Sequence, residues 1–121
     1  MQFKDIYANS PAELFHIGKK IQQLIIGLHP QIKETCHGGT KVRMASYSIG
    51  RLDNVVAVAG PGNDHCKLFL HHCDNIDSKG IKLEGKGKHA KHVKLYAPED
   101  FDEQRYRLVI RQVVDIALTK S

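Results

Sequence analysis

The fold is decided by the central stretch KVRMASYSIGRLDNVVAVAGPGNDHCKLFL, residues 41 to 70, in which turn residues separate three short apolar segments. Its first segment alternates two sets of side chains, Val42, Met44 and Ser46 against Arg43, Ala45 and Tyr47. The second segment, NVVAVAG, is short and β-branched. The connections IGRLDN and GPGND carry the Gly, Pro, Asn and Asp residues of tight turns. We therefore expect antiparallel strands joined by hairpins.

Two more strands are predicted, at CKLFLHHC (residues 66 to 73) and at HVKLY (residues 92 to 96). In the first of them one face carries Cys66, Leu68, Leu70 and His72, and the other carries Lys67, Phe69, His71 and Cys73. This alternation predicts that His71 and His72 point to opposite sides of the sheet. In HVKLY it places Val93 and Leu95 towards the core and His92 and Lys94 outwards.

Long helices are predicted on both sides of the strands in the sequence. The tetrapeptide SPAE combines three helix-start signals, namely Ser10 as N-cap, Pro11 at the first helical position and Glu13 three residues after the cap. Apolar residues then recur at the spacing of one helix face, which predicts a helix over about 11–28. The C-terminal segment has the same periodicity and acidic residues at its start, which predicts a second helix over about 102–119.

Together these elements predict an α+β fold. We expect the two long helices to pack on one face of an antiparallel sheet of about four or five strands. A chain of 121 residues has the usual size of one domain, so residues 1–121 are expected to form a single domain.

Composition indicates in which cellular compartment the protein is expected. No apolar run has the roughly 18–20 residues that cross a bilayer, and the N-terminal segment lacks the apolar centre of a secretion signal. The three cysteines, Cys36, Cys66 and Cys73, are an odd number and are expected to be reduced thiols. A soluble cytoplasmic protein with no membrane partner is the expectation.

The segment EGKGKHAKHVK, residues 84 to 94, is the strongest candidate for a ligand site. The chain carries a net charge of +5, which favours anionic partners, and lysines are concentrated around this segment. Backbone N–H groups near its glycines could hold an anion, although a strand follows where a phosphate loop has a helix. The alternative is a solvated basic loop without a ligand. The candidate ligand-binding residues are Gly85, Lys86, Gly87, Lys88, Lys91, His92 and Lys94.

A second candidate is a metal site in DHCKLFLHHCD, residues 64 to 74. Its imidazole, thiol and carboxylate groups suit iron or zinc, and the candidate ligands are His65, His71, Cys73 and Asp74. The segment has neither a CxxC pair nor an HxxxH pair, however. The alternative interpretation is a core strand with buried cysteines and solvent-facing histidines. No cofactor is predicted beyond these two metals.

A third candidate is a catalytic centre at Cys36 and His37. A cysteine nucleophile needs a histidine in contact with it and a third group that orients the histidine, and adjacency in sequence supplies neither. The following Gly38-Gly39 is expected to turn the chain from the first helix into the sheet.

The segment LEGKGKHAKHVKLYAPEDFDEQRYRLVIRQVV, which follows HCKLFLHHCDNI, resembles the C-terminal half of the YdhG-like domain-of-unknown-function family. Members end with a short hydrophobic strand, a segment of the type LxGxGKxxRHVKL, an acidic helix cap and an amphipathic helix. The pattern is matched at Gly85, Gly87, Lys88, His92, Val93, Lys94 and Leu95. Tyr47 is the counterpart of the tyrosine in the family's Trp-Gly-x-Pro-x-Tyr segment, whose Trp and Pro are absent here, and it joins the candidate ligand-binding residues.

The resemblance implies a frataxin-like fold, and some members of the family have been linked to intracellular iron delivery. Iron prefers carboxylate oxygens, whereas this chain is basic. Our first hypothesis is therefore a non-enzymatic module that binds an anionic small molecule or protein partner. An iron-binding protein and a Cys/His enzyme are the alternatives. Nucleic acid remains open as a partner although interleaved aromatic residues are few, and a homodimer through a free sheet edge remains open too.

Overall fold

The computed structural model describes residues 1–39 and 42–120 and contains an antiparallel sheet whose five strands lie side by side in chain order. The strands are β1 (Ile32–Gly38), β2 (Arg43–Ile49), β3 (Val55–Pro61), β4 (Cys66–Leu70) and β5 (Lys91–Leu95). The predicted hairpin between the first two apolar segments is confirmed as the connection from β2 to β3. The predicted start of a strand at Lys41 lies outside the described residues.

The helices are α1 (Phe3–Ile6), α2 (Ala12–Ile26) and α3 (Glu103–Lys120), and a 3₁₀ turn at Pro98–Asp100 precedes the last of them. The apolar stripes of α2 and α3, with Ile17 and Ile21 on one and Val109 and Val113 on the other, are fully buried against the same face of the sheet. The predicted α+β fold is confirmed. Among the described residues, no helix combines the length and apolar character that a membrane crossing requires.

The helix starts differ slightly from the predicted ones. α2 begins at Ala12, so Pro11 occupies the N-cap position and no side chain caps the helix; Ser10 is not the cap. α3 begins at Glu103 because the Oδ1 atom of Asp102 accepts a hydrogen bond from the backbone N–H of Arg105 at 3.3 Å.

Strand β1 was not predicted from the sequence. Only its last residue, Gly38, was assigned, to the turn into the sheet, but Ile32–Gly38 pairs along its whole length with β2. The reason is its position at the sheet edge, where Ile32 is the single fully apolar side chain that it buries. An edge strand with so little apolar surface lacks the alternation that identifies a strand.

Strand β4 ends at Leu70, three residues before the predicted end. His72 has a positive φ of 57°, so the chain turns there and strand alternation no longer applies. The rings of His71 and His72 therefore both lie against the ring of His89, at centroid distances of 5.7 and 4.9 Å. The alternation that predicted opposite sides for the two histidines therefore does not extend to His72. The alternative interpretation with solvent-facing histidines is wrong for His72, which is 8% exposed.

The two faces of the sheet are different. Alternate residues such as Ala45, Tyr47, Leu68 and Val93 are buried beneath the helices. The opposite face carries no helix among the described residues, and we call it the uncovered face. One row of side chains crosses all five strands on it, through the register partners Thr35, Ser46, Val58, Phe69 and His92.

Candidate ligand-binding face

Strands β4 and β5 place a compact group of rings and lysines on the uncovered face. The chain enters β4 as His65-Cys66-Lys67-Leu68-Phe69 and runs through β5 as His92-Val93-Lys94-Leu95-Tyr96, so both segments have the pattern His-x-Lys-x-aromatic. The second and fourth residues of each segment are buried, and the first, third and fifth face away from the helices. We call this group the β4–β5 patch; it consists of His65, Lys67, Phe69, His92, Lys94 and Tyr96.

Antiparallel pairing turns the repeated pattern into an arrangement of near twofold symmetry. Lys67 is the register partner of Lys94, and Phe69 is the partner of His92. At the other end of the patch the rings of His65 and Tyr96 lie 5.6 Å apart between centroids. A pair of lysines therefore stands between two pairs of rings.

The lysine pair is electrostatically unbalanced. Neither Lys67 nor Lys94 forms an ion pair within the described part of the chain. The carboxylate of Asp64 senses one of the two: its pKa is lowered mainly by its 2.8 Å hydrogen bond to His65 and also by the charge of Lys94. Like charges directly opposite each other on a sheet are destabilising. The lysine pair therefore presents concentrated positive charge that no ion pair among the described residues neutralises.

The rings of the patch are accessible. Phe69 is 37% exposed although phenylalanine is usually buried, and Tyr96 is 52% exposed. The ring of His92 is tilted at 48° to that of Phe69 with 5.5 Å between centroids. The ammonium of Lys67 lies 5.4 Å from the Phe69 ring centroid, in the position of a cation–π contact. The patch can thus offer ring faces and cations to one ligand.

A groove of about 480 Å³ continues from the patch across β3 and β2. It is bounded by His65, Lys67 and Phe69 on one side and by Met44 and Val58 on the other. Gly60 in β3 lies close against the backbone of β2, where an added Cβ would overlap the carbonyl oxygen of Arg43. The absence of a side chain there keeps the groove open and close to the sheet surface.

The predicted Gly/Lys loop, residues 85 to 90, lies beside β5. Glu84 and His92 exchange two backbone hydrogen bonds of 2.8 Å, which fold the loop back onto the strand. Gly85 has a φ of 122°, a conformation that favours glycine. The ammonium of Lys91 donates to the Gly85 carbonyl oxygen at 2.7 Å and so closes the loop.

The three loop residues Lys86, Gly87 and Lys88 were predicted to bind a ligand, and all three are exposed. Lys86 and Lys88 are exposed, and neither forms an ion pair among the residues that the structure describes. At Gly87 an added Cβ would make only an ordinary 3.7 Å contact with the Ala90 carbonyl oxygen. The loop therefore adds two free cations at the edge of the sheet.

Tyr47 does not belong to this surface. It is fully buried on the helix-covered face, and its hydroxyl donates a 2.9 Å hydrogen bond to Oε2 of Glu34. Gln22 of α2 donates to the same oxygen at 2.8 Å. Burial, and next the charge of Glu34, raise the pKa of Tyr47 above its usual value. Tyr47 stabilises the contact between sheet and helix and lies on the opposite side of the sheet from the β4–β5 patch.

The four predicted metal ligands are not assembled at one point. His65 precedes β4 and contacts Tyr96, whereas His71, Cys73 and Asp74 follow the other end of the strand. The thiol of Cys73 is turned towards the Leu70 carbonyl oxygen, at 3.2 Å. Within residues 1–39 and 42–120, no three His, Cys, Asp or Glu side chains are arranged to hold a metal ion.

A histidine cluster occupies the end of β4 instead. Asp74 lies 3.2 Å from Nδ1 of His89, whose ring contacts those of His71 and His72. Nε2 of His72 lies 3.2 Å from Oδ1 of Asn54. Because that oxygen can only accept, His72 carries its proton on Nε2, and Nδ1 has no partner among the described residues. Burial, and next the charge of His89, lower the pKa of His72.

The predicted Cys36/His37 pair is divided by the sheet. As neighbours on β1 the two side chains point to opposite faces. The thiol of Cys36 lies 3.9 Å from Glu34 on the helix side, and burial together with that carboxylate raises its pKa. His37 lies with Ser46 and Ser48 on the uncovered face. The arrangement separates the thiol from the imidazole of His37, and the neighbouring carboxylate disfavours the thiolate, which is the reactive form.

Residues Lys67, Phe69 and Tyr96 were not predicted as site residues. The sequence does contain a signal for them, the pattern His-x-Lys-x-aromatic that occurs twice.

Comparison of the chain with protein-family models, with curated proteins and with solved structures found no match. The resemblance to the YdhG-like family therefore stays a prediction, and the function has to be argued from the geometry of the uncovered face.

Proposed function

We propose that this protein is a small cytoplasmic, non-enzymatic module that binds an anionic ligand on the uncovered face, at the β4–β5 patch and the adjoining Gly/Lys loop. The observation that carries the proposal is the register pair Lys67 and Lys94, which has no ion-pair partner among the described residues. Three free cysteines support a reducing compartment.

An anion bound between the two ammonium groups would offset their mutual repulsion. The lysines stand on an apolar sheet, with Val58 and Met44 lining the neighbouring groove. A surface of low polarisability beneath charged groups strengthens their attraction for an opposite charge. Charge-assisted hydrogen bonds from ammonium groups to phosphate or carboxylate oxygens are among the stronger hydrogen bonds in proteins.

The loop would extend this site beyond the sheet edge. Lys86 and Lys88 are exposed there, and the bond from Lys91 to Gly85 holds the loop against β5. A ligand longer than one phosphate group could thus contact both pairs of lysines. The segment that resembles the YdhG-like family forms this loop and β5, so membership in that family would place its most typical segment at the ligand site.

The proposal is tested with a fluorescently labelled linear polyphosphate at several salt concentrations. We expect a Kd below about 1 mM, equivalent to roughly 4 kcal/mol, which weakens as salt rises. Replacing both Lys67 and Lys94 by Ala is expected to weaken binding at least about tenfold, which corresponds to roughly 1.4 kcal/mol.

The matched control removes two positive charges from the other side of the molecule, with Arg107→Ala and Arg111→Ala. Both arginines are exposed on α3, which packs on the helix-covered face. This double variant should bind polyphosphate like the wild type after correction for the general loss of charge. Equal weakening by the two double variants would show that only net charge matters and would refute the site.

A further inference from the structure

We infer that the anionic ligand is a single-stranded nucleic acid whose bases stack on the rings of the β4–β5 patch while its phosphates meet the lysines. This inference rests on the proposed function and names the ligand class of the same site. It depends on the alternation of rings and cations on one face of the sheet, because a simple polyanion would not use the rings.

Rings and lysines alternate across the patch. Phe69 and His92 form one ring pair, His65 and Tyr96 form the other, and the lysines lie between them. The ring pairs are four residues apart along β4, a separation of about 13 Å at the usual rise of an extended strand. Single-stranded nucleic acid alternates bases and phosphates in the same manner, and proteins that bind it combine aromatic stacking platforms with basic surfaces.

The exposed ring of Phe69 also favours a ligand with bases. Its side chain has no polar atom, stands in β4 on the uncovered face and is 37% exposed. An inorganic anion gains nothing from such a ring, whereas every nucleobase has a face that stacks on it. The ammonium of Lys67 now occupies a position near that ring. A stacked base would take its place, and Lys67 would turn to a phosphate, which is a stronger partner for an ammonium than an aromatic ring.

A path for a longer ligand leads away from the patch. The groove across Val58 and Met44 continues from Phe69 towards β2. Register places the hydroxyl groups of Ser46 and Thr35 at the far end of the same row. A strand lying along this row would meet apolar surface first and hydrogen-bonding groups afterwards. A duplex could not use the rings, because its bases are already stacked inside it.

The test compares four fluorescently labelled ligands: an eight-nucleotide oligo-dT, an eight-nucleotide oligo-U, an abasic deoxyribose-phosphate strand of the same length, and a sixteen-base-pair duplex. Eight nucleotides lie within the roughly 4–16 that one such surface covers. We expect oligo-dT or oligo-U to bind at least about tenfold more tightly than the abasic strand, and the tighter of the two identifies DNA or RNA as the source.

The decisive variant is Phe69→Leu, which keeps the apolar bulk and removes the ring. It should weaken binding of the preferred oligonucleotide about 5- to 150-fold, the range expected for loss of one stacked base, and leave binding of the abasic strand unchanged. Leu108→Ala is the matched control, because it removes an exposed apolar side chain from α3 on the other side of the molecule. It should change neither affinity.

The outcomes separate this inference from the proposed function. If both oligonucleotides bind no better than the abasic strand, if the duplex binds as well as the single strands, or if Phe69→Leu changes nothing, base stacking is refuted. In each of those cases polyphosphate binding that depends on Lys67 and Lys94 would still support the anion site. If neither polyphosphate nor any strand binds, both proposals are wrong.

Discussion

Lys67 stands directly opposite Lys94 across β4 and β5, on a sheet face that no described helix covers. The pairing costs stability, because like charges opposite each other on a sheet repel. Neither lysine has an ion-pair partner in the described part of the chain, so no ion pair there offsets that repulsion. If this lysine pair lowers the stability of the fold but serves ligand binding, a change of charge at either lysine should alter both stability and affinity.

Lys94→Glu should stabilise the protein and abolish its binding of polyphosphate. The substitution replaces a cross-strand repulsion by an attraction, which is expected to raise the free energy of unfolding by about 0.2–1 kcal/mol. Urea unfolding measures the first effect and the polyphosphate titration measures the second. The control is the double variant Lys67→Glu with Lys94→Glu, which restores a like-charge pair: its stability should return to that of the wild type while binding stays lost. A Lys94→Glu protein that is less stable than both would contradict the account of the pair.

Tyr47→Phe should destabilise the fold and leave ligand binding unchanged. The substitution removes the hydroxyl that donates to Glu34 at 2.9 Å beneath the helices. A lost hydrogen bond to a charged acceptor costs about 1.5–3 kcal/mol. Thermal unfolding should therefore show a lower stability than that of the wild type, and polyphosphate titration should show the same affinity, whereas Lys94→Glu is expected to raise stability and abolish binding. If the Tyr47→Phe variant binds polyphosphate more weakly under conditions in which it is fully folded, Tyr47 is part of the ligand site.

Cys36 should react slowly with iodoacetamide at neutral pH. Burial and the neighbouring carboxylate of Glu34 raise its pKa, so little thiolate is present. Glu34→Gln removes the negative charge and should accelerate alkylation of Cys36, as followed by mass spectrometry of the native protein. Full unfolding in urea provides the reference rate for a free thiol. Alkylation of native Cys36 at or above that reference rate would instead indicate an activated nucleophile.

Acidification should destabilise the protein through His72. The pKa of His72 is lowered in the folded state, so the unfolded chain binds its proton at higher pH. The contribution is therefore complete above the ordinary histidine pKa of about 6.5 and is lost as the pH falls from there towards the lowered value. Protonation would place an N–H at Nδ1, which finds no acceptor among the described residues.

The variant His72→Asn tests this origin, because asparagine tolerates the positive φ at this position. Its unfolding free energy is expected to fall less steeply between pH 7.5 and pH 5.5 than that of the wild type, whatever its value at neutral pH. His71, whose pKa burial also lowers, should retain part of the slope. Identical slopes for variant and wild type would remove His72 as the cause.

Gly18→Ala should destabilise the protein although alanine favours helices. A Cβ at residue 18 in α2 would overlap the hydroxyl of Tyr7, whose ring packs directly on this glycine. Overpacking costs about 1–3 kcal/mol, which exceeds the roughly 0.5–1 kcal/mol that alanine gains over glycine in a helix. Gly39→Ala is the control, because the described part of the chain places no atom within 4 Å of its Cβ position. If thermal unfolding shows equal effects for the two variants, the close contact with Tyr7 is not the cause.

The sequence by itself determined the elements whose signals are local. Periodic apolar residues specify α2 and α3 within one or two residues of their observed bounds. Alternation correctly placed Val93 and Leu95 in the core and Lys94 outside it. These features depend only on neighbours along the chain, because the side-chain periods of helices and strands are properties of the backbone.

The tertiary structure alone decided which distant residues meet. The pattern His-x-Lys-x-aromatic can be seen twice in the sequence, but only the antiparallel register of β4 and β5 sets Lys67 against Lys94 and Phe69 against His92. A shift of one residue would have turned the same side chains into the core. Register follows from the burial of a whole sheet face beneath two helices, and this depends on contacts between residues far apart in the chain. The sequence therefore specifies the chemical groups of the candidate site, and strand pairing specifies their arrangement.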